Sequence, residues 1–459
     1  MSSEWGKNIR LRLFGRSHEE YVGVELFGIP KGIKLSVDEM AAFMKRRSPG
    51  NFTYTSGRKE ADVPIIVSGI EDGYTDGSAL RIIVRNEDGR PSDYEKLRYI
   101  PRPGHADYTA YIKWNGKEDM RGGGKFSGRL TAPLCAAGYV ALQILREQEI
   151  GICAHVSSLG SICDDSFDPL NITDEVFAKI SEKEIPVISE TVESEMQSCL
   201  KELVEQGDSV GGVIECAVCG LPIGIGDSFT EGLESTISSL VFGVPGVKGI
   251  EFGSGFRGST MRGSQNNDPY IIKDGKISCT TNNAGGILGG ISNGMPLIFR
   301  AAMKPTPSIA VEQNSVNLLT KENTVISIKG RHDPCIALRA VPVIEACAAL
   351  AVLDAIYAGN CGRDTLSECR NEIDRLDIQI SNLLTKRLRV SECIAEIKAT
   401  ETIPIRDEAR ENAVIRRIKD SNPSQYADSL AEIYEKIMEI SRKHQTEIIR
   451  RDRQNGEEI

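Results

Sequence analysis

Ala358-Gly359-Asn360-Cys361-Gly362-Arg363-Asp364-Thr365-Leu366-Ser367-Glu368 is where the chain changes character. Of the 44 glycines in 459 residues, all but one precede Arg363, and the stretch from Asp364 to Ile459 holds only Gly456. Glycine permits tight turns and close backbone approach, whereas its absence beside abundant Glu, Arg, Lys, Ile and Leu favours long helices. The chain therefore reads as two domains, residues 1–361 and 362–459. The length has room for two or three cores at roughly 150 residues each.

Downstream of the junction, Thr365-Leu366-Ser367-Glu368 is a capping box. From it apolar residues recur at Leu366, Cys369, Ile373, Leu376, Ile380, Leu383, Leu384, Leu388, Ile394 and Ile397. The spacing predicts one helix over 365–399, about 50 Å long at ~1.5 Å per residue, too long for the rest of one chain to cover. Pro404 predicts a break, with further helices over 407–419 and 424–449. An intertwined dimer would bury the stripe. A bare coiled-coil tail is the plainer alternative. Against it, Arg370, Arg387, Lys398 and Arg410 stand beside small or apolar neighbours, and Arg406-Asp407-Glu408-Ala409-Arg410-Glu411 sets three acids among two arginines.

Upstream, short apolar runs (63–67, 80–84, 213–218, 324–328) alternate with glycine-rich turns and with helical patterns over 37–46, 132–147, 191–205, 233–242 and 342–357. That mixture predicts α+β or layered α/β architecture. The net charge of −10 argues against a general nucleic-acid surface, so local Arg and Lys clusters point to small anionic ligands. The twelve cysteines show no secreted spacing and the start lacks the apolar core of a signal peptide, which leads us to expect a cytoplasmic protein. Cys216 and Cys219 share an apparent strand, where positions three apart face opposite sides, so no metal site is read there. No uninterrupted apolar run reaches the ~18 residues of a membrane helix.

Three of the five histidines stand in compact polar motifs: Arg16-Ser17-His18, Arg102-Pro103-Gly104-His105-Ala106-Asp107 and Gly330-Arg331-His332-Asp333-Pro334. Imidazole suits proton transfer near neutrality, and a neighbouring Arg anchors an anion. Further segments join glycine N–H groups to basic side chains: Lys45-Arg46-Arg47-Ser48-Pro49-Gly50, Arg121-Gly122-Gly123-Gly124-Lys125, Arg262-Gly263-Ser264-Gln265-Asn266 and Lys304-Pro305-Thr306-Pro307-Ser308. None is a nucleotide-binding P-loop or a dinucleotide fingerprint.

These motifs, with Asn283-Ala284-Gly285-Gly286-Ile287-Leu288-Gly289-Gly290-Ile291-Ser292, are long, numerous and in order. Across nearly all of residues 1–358 the chain resembles chorismate synthase. The resemblance implies a β-α-β sandwich, usually tetrameric. It implies elimination of phosphate and a ring C6 hydrogen from 5-enolpyruvylshikimate 3-phosphate, with reduced FMN required without net redox change and NADPH a candidate reductant. Carried over by residue, it implies that His18 protonates the leaving phosphate, His105 protonates the flavin, and Asp333 assists proton removal through flavin N5. Arg47, Arg102, Ser127, Arg129 and Arg331 would hold substrate or flavin phosphate. Lys125, Gly246, Gly289 and the segment Lys304, Pro305, Thr306, Pro307, Ser308 would line the flavin.

The chain departs from the family pattern at Arg16, Thr53, Phe126, Leu130 and Pro245. Thr53 stands where an arginine is expected, and losing such a contact costs on the order of 1.5 to 3 kcal/mol unless Arg16 or Arg58 replaces it.

The tail resembles the helical chorismate mutases: Arg370, Arg387, Lys398, Asp407, Arg410, Glu411, Ser441 and Gln445 fall on that family's functional positions. This implies a three-helix, intertwined dimer that converts chorismate to prephenate. Arg387 and a partner-donated Arg370 would clamp the carboxylates with Arg410 in support, Lys398 and Gln445 would bind the ether oxygen, and Glu411 the ring hydroxyl. The expectation is a bifunctional enzyme, a homotetramer with mutase domains paired as dimers, acting on small molecules with no nucleic acid or membrane. The alternative is an active mutase whose first domain survives as a flavin- or chorismate-binding scaffold.

Overall fold

The computed structural model describes residues 3–50, 60–86, 99–117, 119, 121–273, 275–328, 333–359, 366–401, 403–420 and 424–456. They form two compact units, Met1–Gly362 and Arg363–Ile459. Thr53, Arg58, Arg331, Gly362 and Thr365 lie outside the described residues.

The first unit is a sandwich of two five-stranded antiparallel sheets with helices between them. One sheet runs Ser3–Trp5, Arg10–Gly15, Tyr21–Phe27, Leu80–Arg85, Pro64–Ser68 in spatial order. The other runs Val247–Phe252, Leu297–Met303, Gly212–Cys219, Gly151–Leu159, Ile162–Cys163. In the first sheet Val22, Val24, Leu26, Leu80, Ile82 and Val84 are fully buried at every second position, so one face meets the helical layer. Gly212–Cys219 is buried on both faces, because Phe167 and, from helix Asp174–Glu182, Ile180 with Val176 and Phe177 cover Ala217 and Ile298 on the outer side. Cys216 thus faces the core, and burial pushes its thiol well above the ordinary value. Cys219 lies toward the rim and is raised to about 11, again by burial.

Helices Thr131–Arg146 and Ala337–Gly359 are the middle layer. They cross closely enough that a Cβ on Gly138 would stand 2.2 Å from Ala346 Cβ, which is why a glycine is found inside a helix. The second helix starts five residues before its predicted start. Pro342 lies inside it rather than at its head, giving up a hydrogen bond near the first turns of a buried element. Its stretch Ala337–Ala358 is long and apolar enough to cross a membrane, yet 94% of its most apolar 18-residue window, of mean hydropathy 1.8, is buried within the unit. In the sequence Arg339, Glu345 and Asp354 interrupt the run. Each is paired: Arg339 with Asp333, Glu345 with Arg46, and Asp354 with the N–H groups of Asn8 and Ile9.

The second unit is three helices, Leu366–Glu401, Glu408–Asp420 and Ser424–Gly456, the last running about two turns beyond its predicted end. Among the described residues its buried hydrophobics are Ala395, Ala431 and Met438, while Ile373, Leu376, Ile380, Leu383, Val390, Ile394 and Ile397 are exposed along one face.

Candidate active sites

In the first unit the site is assembled around the turn Gly122-Gly123-Gly124, whose φ values of 57°, 90° and 54° are open to glycine and strained for other residues. The space is also taken. A Cβ on Gly122 would lie 2.3 Å from His18 Cε1 and 2.7 Å from Ser17 Oγ, and one on Gly123 would lie 3.5 Å from His105 Nε2. The turn therefore sits between the two imidazoles, and the Ser17 N–H donates to the Gly124 carbonyl at 3.4 Å.

His105 is oriented by Asp107, the first residue of helix Asp107–Lys113. Its Nδ1 lies 2.8 Å from Asp107 Oδ1, and Arg102 grips the same carboxylate through Nε at 2.7 Å and Nη2 at 2.8 Å. Burial alone would raise the Asp107 carboxyl, but the hydrogen bonds from Arg102 and His105 outweigh it and hold the group well below the usual carboxylate range. With Nδ1–H donating to Asp107, the neutral ring presents Nε2 as its acceptor toward the glycine turn.

The segment Lys304–Ser308 docks against this motif. Lys304 Nζ donates to the Gly104 carbonyl, Arg102 Nη1 to Ser308 Oγ at 3.2 Å, and the Lys304 N–H to the Gly246 carbonyl at 2.9 Å. A Cβ on Gly104 would touch Pro307, and one on Gly211 would touch Pro305. Burial and the charge of Lys248 lower the pKa of Lys304. Lys125 Nζ stands 3.4 Å from the centroid of the Trp114 ring. Ser127 Oγ accepts from the Arg129 N–H at 3.2 Å.

Arg47 and Arg129, read as phosphate-holding side chains, are instead turned inward. Both are about 4% exposed and share Asp62. Arg47 donates to Asp62 Oδ2 at 2.7 Å, Thr131 Oγ1 at 3.0 Å and the Gly128 carbonyl at 2.7 Å. Arg129 donates to Asp62 Oδ1, to Asn86 Oδ1 at 2.6 Å and to the Arg85 carbonyl at 2.7 Å. Burial opposes ionisation of Asp62, but the two guanidiniums outweigh it and lower its pKa. Asp333 accepts from Arg339 Nη1 at 2.7 Å, and Arg339 Nε donates to the Arg47 carbonyl at 2.9 Å, tying Asp333 to the same network. Gly289 is exposed at the tip of the half-buried hairpin Ile287–Leu288 and Ile291–Ser292. No contact among the described residues brings it to this cluster. Sequence reasoning missed Asp62, Arg339 and Lys248, which have no local motif, and quoted Asp107 without assigning it a role.

In the second unit the turn Ser441–Gln445 of the third helix gathers the site. Ser441 Oγ accepts from Arg387, and Gln445 Nε2 donates to Ser391 Oγ at 2.7 Å. Gln445 Oε1 is buried without a partner among the described residues. Rotating the amide by 180° lets the Ser391 hydroxyl donate to Oε1 and frees Nε2 as a donor. Lys398 uses one N–H, to the Ile405 carbonyl at 2.6 Å. Glu411 is bound by Arg442 and faces Arg406 at 3.6 Å. Asp407, read as a substrate contact, caps helix Glu408–Asp420: its Oδ1 accepts from the Arg410 N–H at 2.9 Å, while the Arg410 and Arg370 side chains are exposed. His444, paired with Glu392 at 2.8 Å, was not foreseen either.

Comparison with known proteins assigns each unit a relative. The family model described as chorismate synthase matches residues 9–357, and that described as chorismate mutase type II matches residues 369–446. The chorismate synthase of Lancefieldella parvula is 43% identical over 369 residues, 78% of this chain and 97% of that protein. That of Thermococcus kodakarensis is 42% identical over 356 residues, covering 76% and 96%. A solved crystal structure of chorismate synthase superimposes with a TM-score of 0.62 at 26% identity, covering 81% of this chain and 98% of the other.

Proposed function

From the premise that the chain belongs to the chorismate synthase family and carries a type II chorismate mutase domain, we propose two successive reactions. The first is FMN-dependent 1,4-elimination of phosphate from 5-enolpyruvylshikimate 3-phosphate, and the second is Claisen rearrangement of the resulting chorismate to prephenate. One observation supports the first reaction above others: a single glycine turn brings His18 and His105 to one place.

The residues present fit a reduced flavin. Thr306 Oγ1 is buried without a partner among the described residues, and Lys304 is pressed against the charge of Lys248, an arrangement that an anionic group would relieve. Lys125, Thr306, Ser308 and Arg102 would hold it. When bound, it supplies an electron-rich ring against which the C–O bond breaks with no net redox change. The chain does the remainder. His18 donates the proton that neutralises the departing phosphate, and His105 is fixed by Asp107 through Nδ1 so that Nε2 is the nitrogen that takes up and gives back a proton. Asp333, paired with Arg339, serves as the base side of the site. Arg47 and Arg129 act from beneath, by holding Asp62 and the Gly128–Thr131 segment in place.

The second reaction needs neither nucleophile nor base, only a compact substrate and donors at the ether oxygen. Arg387 would clamp a carboxylate, Lys398 and Gln445 would donate to the ether oxygen, Glu411 would accept from the ring hydroxyl, and Arg370 would come from a partner copy. Because Gln445 is neutral, that donor does not depend on pH.

Purified full chain with reduced FMN, kept anaerobic, should release phosphate from 5-enolpyruvylshikimate 3-phosphate, and His18→Ala should abolish it. Identical behaviour of the two proteins would leave only the scaffold reading for the first unit. Undiminished chorismate turnover in Lys398→Ala would overturn the second assignment.

A further inference from the structure

We infer that Arg442 is a positioning residue of the mutase site, setting the carboxylate of Glu411 as a fixed, acceptor-only partner for a ring hydroxyl and so determining specificity for hydroxylated rings. The inference rests on the mutase reading above and adds to it a residue outside the eight that the family resemblance carries.

Its basis is the geometry of one helical turn. At about 100° per residue, Ser441 and Gln445 share a face. Both meet the long helix, at Arg387 and Ser391. Arg442 is rotated off that face toward the second helix, where its Nη1 donates to Glu411 Oε1. Both side chains are largely covered, at 31% and 21% exposure, whereas Arg406, the other cation near Glu411, is 62% exposed and 3.6 Å from Oε2. Arg442 is therefore the cation that fixes the carboxylate. A guanidinium on Oε1 leaves Oε2 and the remaining lone pairs for a ligand, and a carboxylate offers that ligand acceptors only. An acceptor-only group discriminates between a ring O–H and the same carbon bearing hydrogen, because only the former satisfies it.

The hydroxyl contact is made alike in the bound and the rearranging substrate, so its loss falls on KM rather than kcat. With full chain, Arg442→Gln should raise KM for chorismate about tenfold with kcat changed less than about threefold, and Arg442→Lys should recover most of the loss. The preference for chorismate over its ring-deoxy analogue, read from KM against the analogue's inhibition constant, should shrink by about the same factor. In a Glu411→Gln background Arg442→Gln should add less than about twofold. A merely structural arginine would cost the same factor in both backgrounds and leave the preference for the hydroxyl intact, and either result overturns the inference. Arg442→Lys keeps charge and bulk, so the comparison holds even if the glutamine variant folds poorly. Failure of the underlying reading looks different: the unsubstituted chain would then turn over no chorismate.

Discussion

At the scale of single residues the first unit depends on atoms that are not there. An alanine at Gly122 would put its Cβ 2.3 Å from His18 Cε1 and 2.8 Å from Nδ1. It would also force an L-residue to φ 57°, at about 1 to 2 kcal/mol. The ring must yield by roughly an ångström to restore contact distance, and displacement of that order costs about 10²-fold in a catalysed step. Gly122→Ala should therefore depress phosphate release about 10²-fold while chorismate turnover by the same molecules stays within about twofold, since the mutase residues belong to the other compact unit. Equal loss of both activities would mean general misfolding instead. The sequence made this partly legible, because three glycines between an Arg and a Lys are hard to read as anything but a cradle. It did not show that the cradle faces two imidazoles, nor that Arg47 and Arg129 point inward. Asp62, the partner that turns them, lies in Ala61-Asp62-Val63-Pro64, where no spacing or motif marks it as the anchor of two buried cations.

Among elements, the strands and long helices were legible from period and composition, and the errors have physical causes. The helical pattern over 342–357 begins at Pro342, yet tertiary burial extends the helix five residues upstream and holds the proline inside Ala337–Gly359. Helix Asp174–Glu182 was not among the helical patterns read: its apolar face, Val176, Phe177 and Ile180, spans barely two turns. What locks that region is a charge cluster. His155, fully buried in strand Gly151–Leu159, lies 3.0 Å from Asp164 and 3.1 Å from Glu215; Arg300 backs Glu215 at 3.3 Å and the Phe167 ring meets the imidazole edge-on. Asp164 also accepts the N–H groups of Ile188 and Ser189, so the imidazolium ties the 164–189 segment to the sheet. Burial disfavours the imidazolium, but the two carboxylates outweigh it and raise the pKa. A raised pKa means stability fully present below the unfolded value of about 6.5 and lost as pH climbs through the folded one. His155→Gln should thus cost about 3 to 5 kcal/mol near pH 6, by leaving carboxylates uncompensated, and progressively less toward pH 9. Both tryptophans, Trp5 and Trp114, belong to the first unit, so their fluorescence in a urea titration reports it alone. An equal difference at both pH values would show that the imidazole is buried neutral.

For the whole molecule the question is what covers the second unit. Ile373, Leu376, Ile380, Leu383, Val390, Ile394 and Ile397 are between 41% and 63% exposed. With Arg387 filling the gap, they follow the three-and-four spacing of a helix seam, while among the described residues a single copy buries few hydrophobic side chains beyond Ala395, Ala431 and Met438. Three helices with so small a core cannot offset their conformational entropy alone, which is the argument for a second copy laid along the stripe. It also places Arg387, a proposed carboxylate clamp, on the line where the copies would meet, so assembly and mutase chemistry become one property. Leu383→Asp separates the cases. On a free surface the change is worth within about 0.5 kcal/mol and nothing follows. In a paired seam it buries two unpaired carboxylates related by the dimer axis, and at micromolar concentration the mass measured by ultracentrifugation should fall, with chorismate turnover falling in parallel and phosphate release retained. Unchanged mass and turnover would show that the stripe is covered by something other than a copy of this chain.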